Sequence, residues 1–209
     1  MIKQDIVLIG AGGHALSCID VIEQAKNFKI AGLVGLKEEI GTVINGYKVI
    51  GSDSDLPQIV KDYKFALITV GQIRNADLRI KLFTEAIKVG FELPTITSPF
   101  SYISPSAQIN KGTIVLHGAI INAGVKIGIN CIINSCVLIE HGTEVSDHCH
   151  VSTGAILNGD TYIGARSFIG SGAILKQGIS IGTDCQVGMG QLVTKNLDNL
   201  TKLTENTQL

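Results

Sequence analysis

Proton transfer near neutral pH falls most readily to histidine, whose unperturbed pKa lies at about 6.5. This chain carries five: His14, His117, His141, His148 and His150. Two of them stand in tracts with further polar groups. Ile139-Glu140-His141 sets a carboxylate beside an imidazole, and His150-Val151-Ser152-Thr153-Gly154 follows nine residues later. Such a histidine can relieve an attacking amine or hydroxyl of its proton. His14 belongs to a different setting, Gly10-Ala11-Gly12-Gly13-His14-Ala15, directly after the apolar run Ile6–Ile9. The amides of a glycine turn, with the start of the helix beyond it, can hold a phosphate. A tight strand-to-helix turn with no ligand is the other reading. His148-Cys149-His150 offers nitrogen and sulfur donors of the kind zinc takes. Cys149, however, shares a core-filling position of a repeat with Cys131 and Cys185, so no metal site is expected.

That repeat positions most of these side chains. Stepping six residues at a time from Ile103 meets Ile109, Val115, Ile121, Ile127, Ile133, Ile139, Val145, Val151, Leu157, Ile163, Ile169, Leu175, Ile181, Val187 and Val193. Every one is Ile, Val or Leu, with no slip. A period of six belongs neither to an amphipathic helix nor to simple strand alternation. It describes a short strand and a corner every six residues, with three hexads to a triangular coil and coils stacked about 4.8 Å apart. Two residues before each aliphatic lies mostly a small or compact side chain, such as Ala119, Cys131 or Ser167, and the residue after it is often Gly or Asn. Those two types tolerate left-handed backbone, so the corners are expected there. In this register His141 stands two residues past inward Ile139, at a corner rather than in the core. His141 and His150, half a coil apart, project in different directions.

The N-terminal half reads as alternating strand and helix. Expected strands are Ile6–Ile9, Lys29–Val34, Phe65–Val70 and Phe91–Ile96. Helices are expected after Gly13 and over Asp77–Val89, where Leu78, Leu82, Ala86 and Val89 share a face. Strand, glycine turn, helix opens a nucleotide-binding unit, but the NAD fingerprint is incomplete. Ala15 replaces the last glycine, and Val34-Gly35-Leu36 stands where an acid should end the second strand.

Together, the glycine loop with His14, the small α/β domain, the unbroken hexads, and the I-E-H and H-V-S-x-G segments resemble the NeuD-type sugar acetyltransferases. That family belongs to the hexapeptide-repeat superfamily with a left-handed parallel β-helix. It includes sialic acid O-acetyltransferases and N-acetyltransferases of UDP- or GDP-linked 4-amino-6-deoxy sugars, such as the bacillosamine enzyme. The resemblance implies acetyl transfer from acetyl-CoA to the amino group of a nucleotide-linked sugar in bacterial surface glycan biosynthesis. It implies a homotrimer with acetyl-CoA in the grooves between columns, and no metal. By the same resemblance His141 is the catalytic base, His150 contacts the acetyl end of the cofactor, and Gly159, Ser171, Gly172 and Gly188 line CoA. Gly10, Gly12, Gly13 and His14 would bind the nucleotide-sugar, whose sugar extends towards His141. Relatives usually carry a carboxylate directly after the catalytic histidine. Here that residue is Gly142, and Glu140 and Glu144 are the nearby substitutes, with Glu140 taken into the catalytic set. Sialic acid O-acetylation and a non-enzymatic β-helix scaffold are the alternatives. The second draws on the missing G-x-P-A-K segment near the C-terminus.

The expected organisation is a Rossmann-like domain over 1–98, a left-handed β-helix over 99–195 and a tail over 196–209. The 209 residues carry 17 basic and 18 acidic side chains, for a formal net charge of -1. No basic stripe of the kind that binds nucleic acid or a membrane surface is present. No apolar run approaches the roughly 20 residues of a spanning helix. Five cysteines form no CxxC pair and the start lacks a signal pattern, so a cytoplasmic protein with reduced thiols is expected.

Overall fold

The computed structural model describes residues 3–204 and divides into two compact units. The first comprises Met1–Gly71 and Asp77–Pro99. The second takes Phe100–Leu209 together with the short segment Gln72–Ala76.

In the first unit, β1 (Gln4–Ile9) leads through the glycine turn into α1 (Gly13–Ala25), and β2 (Phe28–Gly35) lies parallel to β1. A hairpin follows, β3 (Val43–Ile44) and β4 (Tyr47–Ser52), turning at Asn45-Gly46 with both φ positive. Asn-Gly is the pair that such a two-residue turn selects. A short helix α2 (Leu56–Ile59), the strand β5 (Phe65–Ile68) and the helix α3 (Asp77–Val89) complete the unit. The sheet order is β3-β4-β2-β1-β5, parallel except for the hairpin. Ile6–Ile9 and Ala66–Ile68 are wholly buried, as a strand covered on both faces requires. The expected strand at Phe91–Ile96 is corrected. Glu92 makes an isolated bridge to Phe65 and Ile96 opens a separate two-residue strand, Ile96–Thr97, because Pro94 between them has no N–H to continue a ladder.

The second unit is the coil that the period of six demands. Its two-residue strands stack with an offset of 18 into three parallel faces. The outward residues of one face begin at Tyr102, those of the next at Gln108 and those of the third at Ile114. From Val115 to Val193 every inward aliphatic of the series is at most 2% exposed; Ile103 and Ile109, at the open end, are partly covered. The small residues two positions earlier form a second buried stack that supports itself through hydrogen bonds. Thr113 Oγ1 donates to the Gly128 carbonyl at 2.8 Å and accepts from the Cys131 amide at 2.9 Å. Ser167 repeats the pattern with Gly182 and Cys185, and the thiols of Cys131 and Cys149 donate to Ser146 and Gly164 carbonyls. Thr, Ser and Cys recur there because each is small and can donate to the next coil.

The corner expectation is also corrected. Left-handed residues fall three positions after the inward aliphatic, not one: Gly118, Gly124, Asn130, Cys136, Gly142, His148 and so on to Gly190. Glycine directly after the aliphatic has another cause, close approach between coils. A Cβ on Gly164 or Gly170 would lie 2.5 Å from the backbone of the next coil. Asparagine at this position bonds to that coil instead, as Asn158 Nδ2 does to the Leu175 carbonyl at 2.6 Å.

The coil also outlasts its repeat. Leu197 bridges Ile181, and Lys202–Leu203 pairs with Gln186–Val187, in a stretch read from sequence as tail. After Lys195 the spacing shortens. The side-chain oxygens of Asn196 and Asn199 accept from the Ser180 and Thr183 amides, closing the last coil without the hexad pattern.

Candidate functional site

His141 stands at the corner between the Tyr102 and Gln108 faces, its side chain 60% exposed. Its carbonyl accepts from the Asp160 amide at 2.9 Å, which ties the corner to the following coil. Nδ1 lies 3.7 Å from Glu140 Oε2. The same carboxylate oxygen accepts from Asn122 Nδ2 at 2.9 Å, one coil earlier. At 3.7 Å the Glu140 pair is electrostatic rather than a hydrogen bond. Glu144 turns elsewhere: it pairs with Lys126 at 2.6 Å on the Gln108 face. Of the two carboxylates, it is Glu140, the one taken into the catalytic set, that lies beside His141.

Gly159 is one coil beyond His141 in the same column. A Cβ there would fall 2.7 Å from both Cε1 and Nε2 of the imidazole. The ring therefore sits in the space a side chain would fill, with its Nε2 edge over bare backbone. Gly142 is a left-handed corner (φ +68), and Asp160 Oδ1 lies 2.3 Å from where its Cβ would be. A carboxylate of the next coil thus fills the ground on which a side chain at 142 would begin.

His150 occupies a different place. It is an outward residue of the Ile114 face, yet only 6% exposed, because Gln72–Ala76 lies against it. Nδ1 is 2.5 Å from the Gln72 carbonyl, Nε2 is 3.3 Å from Asn134 Nδ2, and the ring meets Phe168 edge-on. With Nδ1–H donating to Gln72 and Nε2 accepting from Asn134, one neutral tautomer satisfies both nitrogens. Gln72 Nε2 donates to the His148 carbonyl, so the segment is pinned twice. Ser171, Gly172 and Gly188 lie along the corner between the Ile114 and Tyr102 faces, where Ser171 Oγ pairs with Ser152 Oγ at 2.9 Å. Within one chain the expected cofactor residues are therefore split. Gly159 shares the corner of His141, while Ser171, Gly172 and Gly188 flank the opposite edge of the Tyr102 face.

In the first unit the glycine loop is built for close packing. Gly10 has φ +121, and a Cβ there would fall 2.6 Å from Val70 Cγ2. Gly12 caps α1 without a side-chain bond, and added Cβ atoms on Gly12 and Gly13 would meet open space. His14 enters the first turn with its Cβ against Gly71. The acid that sequence found missing from the end of β2 arrives from the next turn. Glu39 Oε2 accepts from the Leu36 amide at 2.7 Å and stands 2.5 Å from where a Gly35 side chain would begin, as does Ala11 at 3.0 Å. The signal was Leu36-x-x-Glu39, a carboxylate three residues past an amide at the start of a helical turn. Among the described residues no group of His, Cys, Asp and Glu is placed to hold a metal, and no helix is long and apolar enough to cross a membrane.

Comparison with known proteins fits this geometry. Residues 5–86 match the PglD N-terminal domain, and 161–195 match the hexapeptide repeat of succinyl-transferase. The crystal structure of PerB from Caulobacter crescentus, in complex with CoA and GDP-perosamine, is 30% identical with a TM-score of 0.88 over 95% of this chain and 92% of that one. The chain belongs to the left-handed β-helix family of sugar N-acetyltransferases with a PglD-type N-terminal domain. A histidine variant of perosamine N-acetyltransferase from the same organism, with CoA and GDP-perosamine, gives 29% identity and a TM-score of 0.91, covering 98% of this chain and 94% of that one. The acetyltransferase domain of PglB from Neisseria gonorrhoeae, in complex with acetyl coenzyme A, gives 27% and 0.89, covering 98% of both chains.

Proposed function

We propose that this family member transfers the acetyl group of acetyl-CoA to the amino group of a nucleotide-linked 4-amino-6-deoxy sugar, with His141 as general base. The observation that carries the reading is the exposed His141 imidazole, with Glu140 beside Nδ1 and the ring set against the bare backbone of Gly159. Nε2 accepts the proton as the amine attacks the thioester carbonyl. The tetrahedral intermediate then expels the CoA thiolate, which recovers that proton from the imidazolium. Glu140, held by Asn122, stabilises the charged ring between the two steps. The Gly10–Gly13 loop and the uncapped start of α1 suit a diphosphate, with His14 in the first turn as a further donor. Relatives bound to CoA and GDP-perosamine support both halves of this assignment.

The working form is a cyclic homotrimer in the cytoplasm. Its support is the Tyr102 face, whose outward row is Tyr102, Ile120, Leu138, Ile156, Ile174 and Leu192. The Gln108 face shows Gln108, Lys126, Glu144, Tyr162 and Ser180 instead. A continuous apolar row favours burial. Turning three such rows to a common axis sets the His141 corner of one copy beside the Ser171–Gly172 corner of the next. The cofactor residues split within one chain would then line one groove, with His150 set behind it.

The test is activity with acetyl-CoA against UDP-, GDP- and CMP-linked amino sugars alongside free N-acetylneuraminate. Turnover of a nucleotide-linked amine, inhibition by UDP or GDP, and loss of acceptor affinity in Gly12→Asp with acetyl-CoA binding spared are expected. Efficient acetylation of free sialic acid with no inhibition by nucleotides would replace this reading with O-acetylation.

A further inference from the structure

The third corner of the coil, between the Gln108 and Ile114 faces, borders neither edge of the Tyr102 face. Its left-handed residues include His148, Arg166 and Asp184, one per coil. Arg166 and Asp184 are joined by two hydrogen bonds, Nε to Oδ1 at 2.8 Å and Nη2 to Oδ2 at 2.6 Å, so the acid is taken up by its neighbour. Beside this corner the segment Gln72–Ala76 lies against the outward row of the Ile114 face. The Gln72 carbonyl meets His150 Nδ1, and the Arg74 carbonyl accepts from Gln186 Nε2. Segment and coil border a cavity of about 220 Å³. A water takes about 30 Å³ in the liquid, so this is room for a small molecule. Its most buried lining residue is Gln72, 2% exposed. Gln72 Nε2 donates to the His148 carbonyl at 2.9 Å, while Oε1, the other end of the amide, has no partner among the described residues. Phe168 supplies an apolar wall, and Arg74, Arg166 and Lys202 bring three cations against Asp184, the single acid among the described lining residues. Arg74 and Lys202 are exposed and enter no ion pair among the described residues.

We propose that this cavity is a second ligand site, for a phosphate monoester on a small hydroxyl-bearing molecule of the sugar phosphate class. The cations set the charge of the occupant. Arg74 comes from the segment and Lys202 from the last coil, and a phosphate with close to two negative charges engages both, where a carboxylate brings only one. Gln72 sets the rest. A buried amide oxygen takes a hydrogen-bond donor, which the cations of the lining give to the anion and a hydroxyl of the occupant gives to Oε1. The Phe168 wall suits the carbon skeleton between the two groups, as an apolar surface beside a few placed polar groups does in small-molecule sites. No residue of the His141 corner or the glycine loop takes part, so the inference is independent of the acetyl-transfer reading. The two meet at one residue: Gln72, whose carbonyl holds His150, is fixed by the occupant at its other end.

Calorimetry on the full chain with glucose 1-phosphate, inorganic phosphate and glucose tests this. Glucose 1-phosphate should bind more tightly than inorganic phosphate, glucose should give no measurable heat, and added salt should weaken both anions. Arg74→Ala/Lys202→Ala should weaken glucose 1-phosphate by about tenfold or more, with acetyl-CoA affinity and melting temperature as in the wild type. Gln72→Leu, which removes the acceptor for the hydroxyl, should bring glucose 1-phosphate down to the level of inorganic phosphate. Should Gln72→Leu fail to fold, the double variant decides. A double variant that binds glucose 1-phosphate like the wild type overturns the site, as does a wild type that binds neither anion. Equal affinity for the two anions overturns the monoester in favour of free phosphate, and displacement of glucose 1-phosphate by UDP or GDP overturns the independence of the site from the acceptor. Turnover of a nucleotide-linked amine, measured alongside, judges the acetyl-transfer reading separately.

Discussion

Gly159 and His141 are one coil apart, and the imidazole of the second occupies the place of the side chain the first does not have. Gly159 has no positive φ, so alanine would not strain its backbone. The 2.7 Å overlap would be relieved by the exposed histidine moving, not by the coil. Gly159→Ala should therefore fold with an unchanged melting temperature and lose roughly 10- to 100-fold in kcat, the effect of a displaced base. A drop in stability with kcat retained would show that the glycine serves the coil alone.

His141→Ala is expected to keep its assembly and its affinity for acetyl-CoA while losing about two to four orders of magnitude in turnover. Glu140→Gln removes a charge 3.7 Å from Nδ1 but not the base, so its loss should be smaller, on the order of tenfold, given that the pair is solvent-exposed. Asn122→Ala, which frees the Glu140 carboxylate, should fall between wild type and Glu140→Gln. The readout is kcat, with KM for acetyl-CoA unchanged; a Glu140→Gln enzyme that turns over like the wild type would remove Glu140 from the mechanism.

The inward series predicts a sharp failure. Ile133 and Val151 are stacked on one face and fully buried, so Ile133→Asp or Val151→Asp places a carboxylate between coils with no partner. Neither variant should yield folded protein by circular dichroism. A soluble, cooperatively melting Ile133→Asp would contradict the register.

Thiol chemistry should separate the cysteines. Burial pushes the Cys18 thiol up to about 12 and holds Cys149 well above the usual range, while Cys131 and Cys185 are also buried. Cys136 is exposed on a left-handed corner. Alkylation of the native protein at pH 8 should label Cys136 alone, with the other four reacting after denaturation. Rapid native labelling of Cys149 would mean the coil opens.

Sedimentation should give a species of about 66 kDa, three chains of 22.1 kDa. Ile120→Arg/Ile174→Arg, on the exposed row of the Tyr102 face, should shift it to the monomer without unfolding it. A wild type that sediments as a stable monomer at micromolar concentration would defeat the trimer.

The sequence by itself determined the coil. A six-residue aliphatic period has few ways to bury its residues, so the three faces, the inward stack and the corner position of His141 follow from spacing alone. It also fixed the helix Asp77–Val89 and the glycine turn, where local periodicity and backbone freedom dominate. What needed the tertiary structure was everything set by residues 18 apart. Glu140 rather than Glu144 faces His141 because Lys126 claims Glu144 one coil earlier. Gly159 matters through a ring on the preceding coil. The left-handed corners fall three residues past the aliphatic because that is where the chain turns. His150 is buried by Gln72–Ala76, a segment more than 70 residues away in sequence, and Asn196 and Asn199 close the coil after the hexads end. Spacing along the chain fixes which way a side chain leaves the backbone. What it meets there is decided by the neighbouring coil, whose contribution no local pattern records.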